Sequence, residues 1–392
     1  MMTYDWIVIG AGITGAAAAY ELARSGFSVL LLEQDAIANN ATRYSYGGLA
    51  YWAGVSDVTT QLCAEGKQRY LQLAEELGND IEFRELNLVL TIDKNTDPQT
   101  LLANYAQFAV KPQLLTPQEA GELEPLLNQN GISGALTVKH GHMNPILTTQ
   151  AYIQAMQRYN GVWAIAKAVD FIKERDRILG VKTPDTAYAA ENTLVCTGGW
   201  TRQFLREAGM PVRVYHTHAE LIEITGTTPQ LQTLVMPANQ MRFALEAAAS
   251  TDELDPLWNE GDREILKPIF DPGAVQFLDG RILLGQISRT LSTTSPQNNA
   301  QASESQIRAG IRQILPSLAD LPGTWHSCLV AFSGTRLPVV GSVPNLSGIH
   351  VFSGFTNPLV YAPPLAQRFA QAATGNHDPI LSQLAPQPPI QQ

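Results

Sequence analysis

Cysteine is scarce in this chain, and the cysteines present are not spaced for redox or metal chemistry. The 392 residues contain only Cys63, Cys196 and Cys328, an odd number at wide spacing. A disulfide framework needs cysteines in pairs, and a dithiol redox centre needs the C-x-x-C spacing, so the sequence offers neither. So few cysteines favour a reducing compartment, and we expect a cytoplasmic protein.

The chain also lacks long apolar runs and an excess of basic residues. No uncharged apolar stretch has the length of a transmembrane helix, and a strand pattern begins so early that no room is left for a signal peptide. Lysine and arginine number 26 against 36 acidic residues, which gives a net charge of −10. We therefore expect no transmembrane segment and no nucleic acid held by bulk electrostatics.

Against these absences, the N-terminal segment carries a strong motif. A short apolar run (4–9) leads into G-A-G-I-T-G (10–15), then into an alanine-rich helical segment and a second apolar run (27–32) that ends on Glu33. This order predicts a βαβ unit with the dinucleotide fingerprint G-x-G-x-x-G. An acid at the end of the second strand can accept hydrogen bonds from ribose hydroxyls, which favours FAD or NAD over NADP.

Each glycine of the fingerprint has its own expected task. Gly10 allows the tight turn, Gly12 lets a pyrophosphate approach the backbone, and Gly15 lets the helix pack closely on the strand. The polar loop that follows (39–48) combines hydroxyls, one arginine and paired glycines, as in a backbone-rich cradle for an anion. A plain solvated connection is the alternative for that loop.

Hydrophobic periodicity and capping residues predict the remaining elements. Helices are expected over 61–77, from Thr116, and over 147–158, 303–315 and 358–374; strands are expected over 81–92, 162–165, 168–173, 178–182, 193–196, 220–224, 282–284, 328–341 and 349–354. A polar, acidic stretch (247–264) is interpreted as a surface insertion or loop. The proline- and glutamine-rich end (384–392) is expected to be frayed.

Several separated segments are similar to one family, the flavoproteins related to D-amino-acid, glycine and sarcosine oxidases. They are the fingerprint, the 42–48 loop, Val169, LVCTGGW (194–200), DGRILLGQ (279–286), RLPVVG (336–341) and FTNPLVYAP (355–363). The sequence RLPVVGSVP also resembles the FAD domain of the bacterial enzyme that matures methylaminomethyl-uridine in tRNA. The resemblance covers nearly the whole chain and implies FAD as the cofactor and no metal.

The resemblance implies an α/β Rossmann-like FAD-binding domain with a discontinuous, mainly antiparallel-sheet (α+β) substrate domain. We place the FAD-binding domain at 1–78, 140–214 and 320–376, the substrate domain at 79–139 and 215–319, and a tail at 377–392. FAD is long, so chain from elsewhere must return to hold its ring system. The expected contacts are Gly10, Gly12, Ile13, Thr14, Gly15, Glu33, Gln34, Ala41, Thr42, Arg43, Ser45, Gly47, Gly48, Val169, Thr197, Gly198, Trp200, Arg336, Gly354, Phe355, Thr356, Asn357 and Leu359.

Departures from the family pattern bear on the substrate. The arginine with which glycine oxidases hold a substrate carboxylate corresponds here to Val330, and a second family arginine corresponds to Thr356. We therefore expect Arg336 to be the carboxylate clamp, with Arg242 as the second candidate. Pro358 replaces a family glycine and has no N–H to offer the flavin.

Other residues have two interpretations each. Tyr51 and His218 are candidate catalytic residues near the flavin ring, or packed aromatic side chains. Cys328 lies where sarcosine oxidases link FAD covalently, or is a small buried residue in a strand. His140 and His142, like His216 and His218, form H-x-H pairs, but the metal-ligand interpretation lacks an acid or cysteine at ligand spacing. Similarly, Tyr44, Tyr46 and Trp52 either line the flavin cavity or pack on one another.

The resemblance implies an oxidase or dehydrogenase that acts on a C–N bond of an amino acid or of a primary or secondary amine. The substrate transfers a hydride to the flavin, and water hydrolyses the resulting imine. The alternative is a flavoprotein with structural FAD that serves as a binding or assembly subunit. The expected partner is a small-molecule substrate, and the chain is expected to be a monomer or homo-oligomer.

Overall fold

The structure, a computed structural model, describes residues 3–37, 39–226, 229–295 and 298–387. The strands are β1 (Thr3–Ile9), β2 (Val29–Glu33), β3 (Gly48–Leu49), β4 (Arg84–Asp93), β5 (Gln113–Leu115), β6 (Ile132–His142), β7 (Val162–Ile165), β8 (Asp170–Glu174), β9 (Arg177–Lys182), β10 (Ala187–Val195), β11 (Val214–Ile224), β12 (Leu234–Pro237), β13 (Glu264–Gln276), β14 (Ile282–Leu291), β15 (Thr324–Ser333), β16 (Val339–Ser342) and β17 (Ile349–Ser353).

The α-helices pack on the faces and edges of these strands. They are α1 (Ile13–Arg24), α2 (Asp57–Leu77), α3 (Pro98–Ala103), α4 (Pro117–Leu123), α5 (Pro145–Arg158), α6 (Thr201–Glu207), α7 (Met241–Ala249), α8 (Ala300–Ile314), α9 (Pro358–Ala373) and α10 (Pro379–Leu384). None of the described helices is long and apolar enough to cross a membrane.

The first sheet is parallel at its centre. Its strand order is β16-β17-β10-β1-β2-β7, with β8 and β9 attached beside β10. In register, Ile9 of β1 lies beside Val195 of β10 and Leu32 of β2, so the carboxyl ends of three strands meet at one edge. Ligands of open parallel sheets bind outside that edge.

Helix α1 covers this sheet with an almost continuous alanine surface. Ala16, Ala17, Ala18 and Ala19 are fully buried, because α1 packs between the sheet and helices α5 and α9. Small side chains let the helix approach closely, which brings its first turn to the carboxyl ends of β1 and β10. The packing of α1 therefore positions the amide groups of the fingerprint.

The second sheet is mainly antiparallel. Its order is β15-β11-β14-β13-β12-β4-β6-β3, with β5 paired to β6 and a parallel pairing only between β12 and β4 among the described strands. The predicted fold class, a Rossmann-like α/β part joined to a mainly antiparallel α+β part, is thereby confirmed. The domain boundaries stay a prediction: β15 lies in the second sheet, although the segment 320–376 was assigned to the FAD-binding domain.

Local side chains cap the starts of two helices: the start of α4 at Thr116 was predicted, whereas α2 begins at Asp57, before the predicted 61. Helix α4 begins with a capping box, in which the Thr116 hydroxyl accepts from the Glu119 amide at 3.2 Å and Glu119 accepts from the Thr116 amide at 2.8 Å. Helix α2 has the same arrangement between Ser56 and Thr59, and it ends at Gly78 in the left-handed conformation, with φ of 63°. Such caps satisfy amides and carbonyls that helix ends leave free.

Strand β13 was not predicted. It contains Pro268 and Pro272 and shifts register at three points, so neither β-branched enrichment nor a period of two was visible. The neighbouring stretch 247–264 is mostly loop as predicted, with the end of α7 and a short 3-10 turn. Trp258 in that turn is nevertheless buried, and its Nε1 donates to the Ala249 carbonyl at 2.7 Å.

The predicted frayed end (384–392) can be compared with the structure only over residues 384–387. Leu384 closes α10 and is buried, so the predicted frayed end does not begin there. Residues 388–392 lie outside the described residues.

Candidate active site

A cavity of about 1030 Å³ opens at the carboxyl edge of the first sheet and reaches the second sheet. We call the part lined by the fingerprint, Glu33 and Val169 the βαβ side. The part lined by Trp52, His140, Arg242, Phe243, Asp271 and Arg336 is the far side. The volume of the whole cavity lies at the upper end of the range for ligand sites, which suits a long dinucleotide with a substrate beside it.

Two glycines shape the backbone cradle on the βαβ side. Gly10 has φ of +98°, and an added Cβ would lie 2.6 Å from the Cys196 carbonyl oxygen, so only glycine fits. At Gly12 an added Cβ would meet just the Thr42 hydroxyl, at 3.2 Å. The space in front of Gly12 thus belongs to the cavity, beside the start of α1, where free amides and the helix dipole favour an anion.

Glu33 ties the cradle to the end of β2. One of its carboxylate oxygens accepts from the Ala11 amide at 2.7 Å, and the other accepts from the Gln34 amide at 2.8 Å. A carboxylate has about four lone-pair sites, so these bonds leave capacity for ribose hydroxyls. Val169, just before β8, also lines the cavity, and its amide donates to the Lys182 carbonyl at 2.9 Å.

Most of the residues predicted to contact FAD line this cavity. They are Gly10, Gly12, Ile13, Thr14, Glu33, Gln34, Ala41, Thr42, Ser45, Gly48, Val169, Thr197, Gly198, Trp200, Arg336, Gly354, Phe355, Thr356, Asn357 and Leu359. A cradle that a side chain would fill, a helix start and a chain return from 354–359 together fit FAD. These residues would hold its ADP half and its ring system.

Three predicted contacts lie off the cavity wall. An added Cβ at Gly15 would lie 1.8 Å from the Gly10 carbonyl, and one at Gly47 would lie 2.1 Å from the Met143 carbonyl. Both glycines therefore serve close packing of the backbone. Arg43 points to the second sheet, where its guanidinium donates to Glu223 at 2.8 Å. Its guanidinium is thus held in an ion pair, and its predicted cofactor contact stays a prediction.

The loop that contains Thr42 is fastened to β15. The Asn40 side chain accepts from the Leu329 amide at 2.8 Å, beside Cys328, which is buried and lines the cavity. Burial raises the pKa of the Cys328 thiol to about 12. A thiol that is protonated at neutral pH is a poor nucleophile, which favours the interpretation as a small buried residue.

Two arginines meet on the far side around one aromatic ring. The guanidinium carbons of Arg242 and Arg336 lie 4.8 Å and 5.8 Å from the ring centre of Phe243. Arg242 is half-buried, and its Nε lies 3.7 Å from Glu246. Arg336 is exposed in the turn between β15 and β16, with the unusual φ of +61°, and its carbonyl accepts from the Thr356 hydroxyl at 2.8 Å. A strained backbone at a cavity wall is typical of a functional residue.

A bulge in β13 brings a carboxylate to the same wall. Phe270 pairs with Ile287 and Gly273 pairs with Gly285, so Asp271 and Pro272 together oppose one residue of β14. Bulges redirect side chains, and here Asp271 becomes part of the cavity lining. Burial raises the pKa of Asp271 to about 6, against an opposing effect of Arg242.

A histidine with a defined tautomer faces the same side. The Trp52 indole donates to Nδ1 of His140 at 3.0 Å, so the imidazole proton lies on Nε2. Burial lowers the pKa of His140 to about 3, and the ring is therefore neutral at physiological pH. An added Cβ at Gly48 would lie 2.6 Å from that Nε2, which explains the glycine there. His140 can thus offer one N–H donor and no charge.

Neither Tyr51 nor His218, the other predicted catalytic residues, lines the cavity. The Tyr51 hydroxyl donates to Glu85, and Lys67 lies over its ring at 4.6 Å. His218 is buried, and its Nε2 contacts the Thr293 carbonyl at 2.8 Å. Both are packed aromatic side chains in this structure, so the catalytic assignment is not supported for them. Tyr44, Tyr46 and Trp52, by contrast, do line the cavity.

Sequence reasoning missed Asp271 and Phe243 as site residues. It named Trp52 as a possible cavity-lining residue but considered His140 only as a member of an H-x-H pair. The bulged strand hides Asp271, and Phe243 lies in a helix that no pattern had delimited. The one available signal was composition: Asp271 stands between Pro268 and the pair Pro272-Gly273, and aspartate, proline and glycine are all unusual in a strand.

Comparison with known proteins agrees with this geometry. A family model described as "FAD dependent oxidoreductase" (DAO) matches residues 5–372. The chain is 29% identical over 234 residues to 4-methylaminobutanoate oxidase (formaldehyde-forming) of Paenarthrobacter nicotinovorans, an alignment that covers 57% of this chain and only 28% of that protein.

Other relatives align over their full length. Identity to a glycine oxidase of Pseudomonas aeruginosa is 24% over 392 residues and covers 96% of both chains. The crystal structure of glycine oxidase from Geobacillus kaustophilus superimposes with a TM-score of 0.82 at 20% identity and covers 100% of both chains. At that identity the superposition shows a shared fold.

Proposed function

The chain belongs to the DAO family of FAD-dependent oxidoreductases, and we propose that it oxidises a C–N bond of an amino acid or of a primary or secondary amine. The observation that carries the proposal is the continuous cavity. Its βαβ side offers a backbone cradle for FAD, and its far side offers arginines and a carboxylate suited to a small charged amine. The relatives named above, an oxidase of 4-methylaminobutanoate and a glycine oxidase, support this substrate class.

FAD bound here would supply a two-electron acceptor. The substrate would lose a hydride from the carbon next to nitrogen and a proton from nitrogen, and water would convert the imine product to a carbonyl compound and a free amine. The task of the chain is to hold the amine in place and to exclude water. Apolar side chains such as Leu88, Leu221 and Met236 line the far side and fit that second task.

The polar groups of the far side have separate proposed tasks. Arg336 and Arg242 would bind a substrate carboxylate, because guanidinium groups match carboxylate geometry. His140 would donate from Nε2 to a substrate or cofactor oxygen, in the tautomer that Trp52 imposes. Since neither role needs a change of protonation, both act by orientation.

The test is anaerobic reduction of the purified holoprotein by a panel of amines. We expect loss of the yellow colour with glycine, sarcosine, proline or a simple secondary amine, at a rate that saturates with concentration. Acid or heat should release all the flavin, since Cys328 is a buried, protonated thiol. Flavin that stays oxidised with every amine, although dithionite reduces it, would contradict the proposal and favour the alternative of structural FAD.

A further inference from the structure

Two buried carboxylates, one on the far side and one behind it, each have an oxygen without a hydrogen bond among the described residues. They are Asp271 Oδ1 and Glu246 Oε2. Asp271 is 8% exposed and Glu246 is 4% exposed. A buried polar atom without a partner costs free energy, and a buried charge costs more. These two oxygens therefore destabilise the fold, and packing alone does not explain why they are present.

The two carboxylates differ in what surrounds them. Glu246 lies behind the cavity wall, and it has the Arg242 guanidinium at 3.7 Å and the Thr217 hydroxyl at 3.4 Å. Asp271 lines the cavity, and within the described residues no cation lies within ion-pair distance of it. Of the two carboxylates, Asp271 is thus the one that belongs to the cavity wall.

The charged and titratable groups around Asp271 influence its protonation state. Tyr46, whose phenol pKa is raised by burial, Arg242 and Glu246 act on it from the neighbouring loop and from α7. Arg242 favours the ionised form and Glu246 opposes it. With a pKa of about 6, Asp271 is mostly an anion at neutral pH. An anion in an apolar, aromatic wall attracts a cation.

We propose that Asp271 binds the ammonium group of the substrate and so selects amines that arrive as cations carrying an N–H. This inference rests on the proposed function and adds its specificity. Arg242 and Arg336 lie around Phe243 on the same side of the cavity, so the far side presents an anion and two cations, the complement of a zwitterion. Tyr46 and Trp52 add aromatic faces against which a cation is stable.

The test is Asp271→Asn, which keeps the shape and removes the charge. Stopped-flow reduction of the holoprotein at increasing concentrations gives Kd for the most active amine of the panel, for example sarcosine. We expect that Kd to rise about 10- to 100-fold, the range of one charge-assisted hydrogen bond. Propionate, which has the carboxylate but no nitrogen, should bind unchanged or more tightly, as measured by perturbation of the flavin spectrum.

Two further variants serve as controls. Asp271→Glu keeps the charge and should retain the preference for amines over propionate. Asp262→Asn makes the same substitution at an exposed site outside the cavity lining and should leave both Kd values unchanged. An unchanged amine Kd in Asp271→Asn, or equal weakening of amine and propionate, would overturn the assignment. Absence of flavin reduction by any amine in the wild-type protein would instead contradict the proposed function.

Thermal melting adds a readout that does not depend on turnover. A carboxylate kept for a ligand destabilises the ligand-free fold once ionised, so Asp271→Asn should melt at a higher temperature than wild type at pH 8. At pH 4, where Asp271 is protonated, the two should melt alike. A lower melting temperature of the variant at pH 8 would show that Asp271 stabilises the fold through internal contacts and would overturn the proposal.

Discussion

The two sides of the cavity present different kinds of groups to a ligand. The βαβ side presents mainly backbone, in the form of glycines and the first amides of α1, together with one side-chain carboxylate at the end of β2. The far side consists of side chains from the loop after β3, from β6, α7 and β13, and from the β15–β16 turn, which are distant in sequence. A backbone site tolerates little change at its glycines. In a side-chain site, one residue can be replaced while the frame stays.

This difference matches the division of labour in the proposed reaction. The cofactor is the same for every substrate, so its cradle can be fixed by the fold. The substrate contacts set specificity, and the antiparallel sheet can supply them, because a bulge such as the one at Asp271 redirects a side chain without moving the strand. Substitutions on the two sides should therefore fail in different ways.

The largest effect is expected from Gly12→Val. The added side chain enters the space in front of α1 and meets only the Thr42 hydroxyl, so the fold should persist while FAD binding is lost. Flavin content per chain and circular dichroism test this. Gly261→Val is the matched control, because an added Cβ there meets nothing within 4 Å. Normal flavin content in Gly12→Val would show that FAD does not use this cradle.

The same contrast explains what could be predicted from sequence. The βαβ unit was readable because its glycines, strand lengths and terminal acid keep a fixed spacing within one segment. The far side was readable only in part: Arg336, Arg242 and Trp52 were named. Asp271 was not, because it reaches the cavity only through a register shift between β13 and β14. Arg336 was named through a resemblance and lines the cavity, whereas Tyr51 and His218 do not line it, since the sequence alone does not fix the direction of a side chain.

Acid should weaken the second sheet more than the first. Burial lowers the pKa of His140 and His142 to about 3 and of His216 to about 4, and all three lie on strands of the second sheet. The unfolded chain takes up protons near pH 6.5, so stability is present above that pH and is lost as pH falls toward 4. Each histidine contributes at most about 1.4 kcal/mol per pH unit.

Urea unfolding between pH 7.5 and 4.5, with hydrogen exchange to locate the opening, measures this effect. The Asp271→Asn background is best, since protonation of Asp271 in the folded state acts in the opposite direction. Substitution of the exposed His377 by glutamine should leave the slope unchanged. Equal loss of protection in both sheets would contradict the expectation, because the first sheet holds just one comparable residue among those described, His350, with a pKa of about 4.

A smaller effect on the βαβ side is expected from Glu33→Ala. The substitution removes acceptors for the Ala11 and Gln34 amides and for ribose hydroxyls, while the glycine cradle remains. FAD affinity should fall by roughly 1–3 kcal/mol, the contribution of charge-assisted hydrogen bonds. Equilibrium release of FAD during dialysis measures it. If the loss is as complete as in Gly12→Val, the acid forms part of the cradle itself.

The smallest effect, and the one that separates the two sides most finely, is expected from Arg336→Lys. Arg336 is exposed at the cavity, so solvent weakens its attraction for a carboxylate, and lysine keeps the charge while it loses the bidentate fork. We expect kcat/KM to fall about 5- to 30-fold for carboxylated amines and little for their descarboxy analogues, with flavin content unchanged.

Arg242→Lys is the comparison: Arg242 is half-buried between Phe243 and Glu246, so its loss should affect the same substrates more strongly. Equal loss for both substrate classes, with less bound flavin, would assign Arg336 to the cofactor. Arg336 would then belong with the cofactor contacts and Arg242 with the substrate contacts, so the carboxylate clamp would be Arg242 alone.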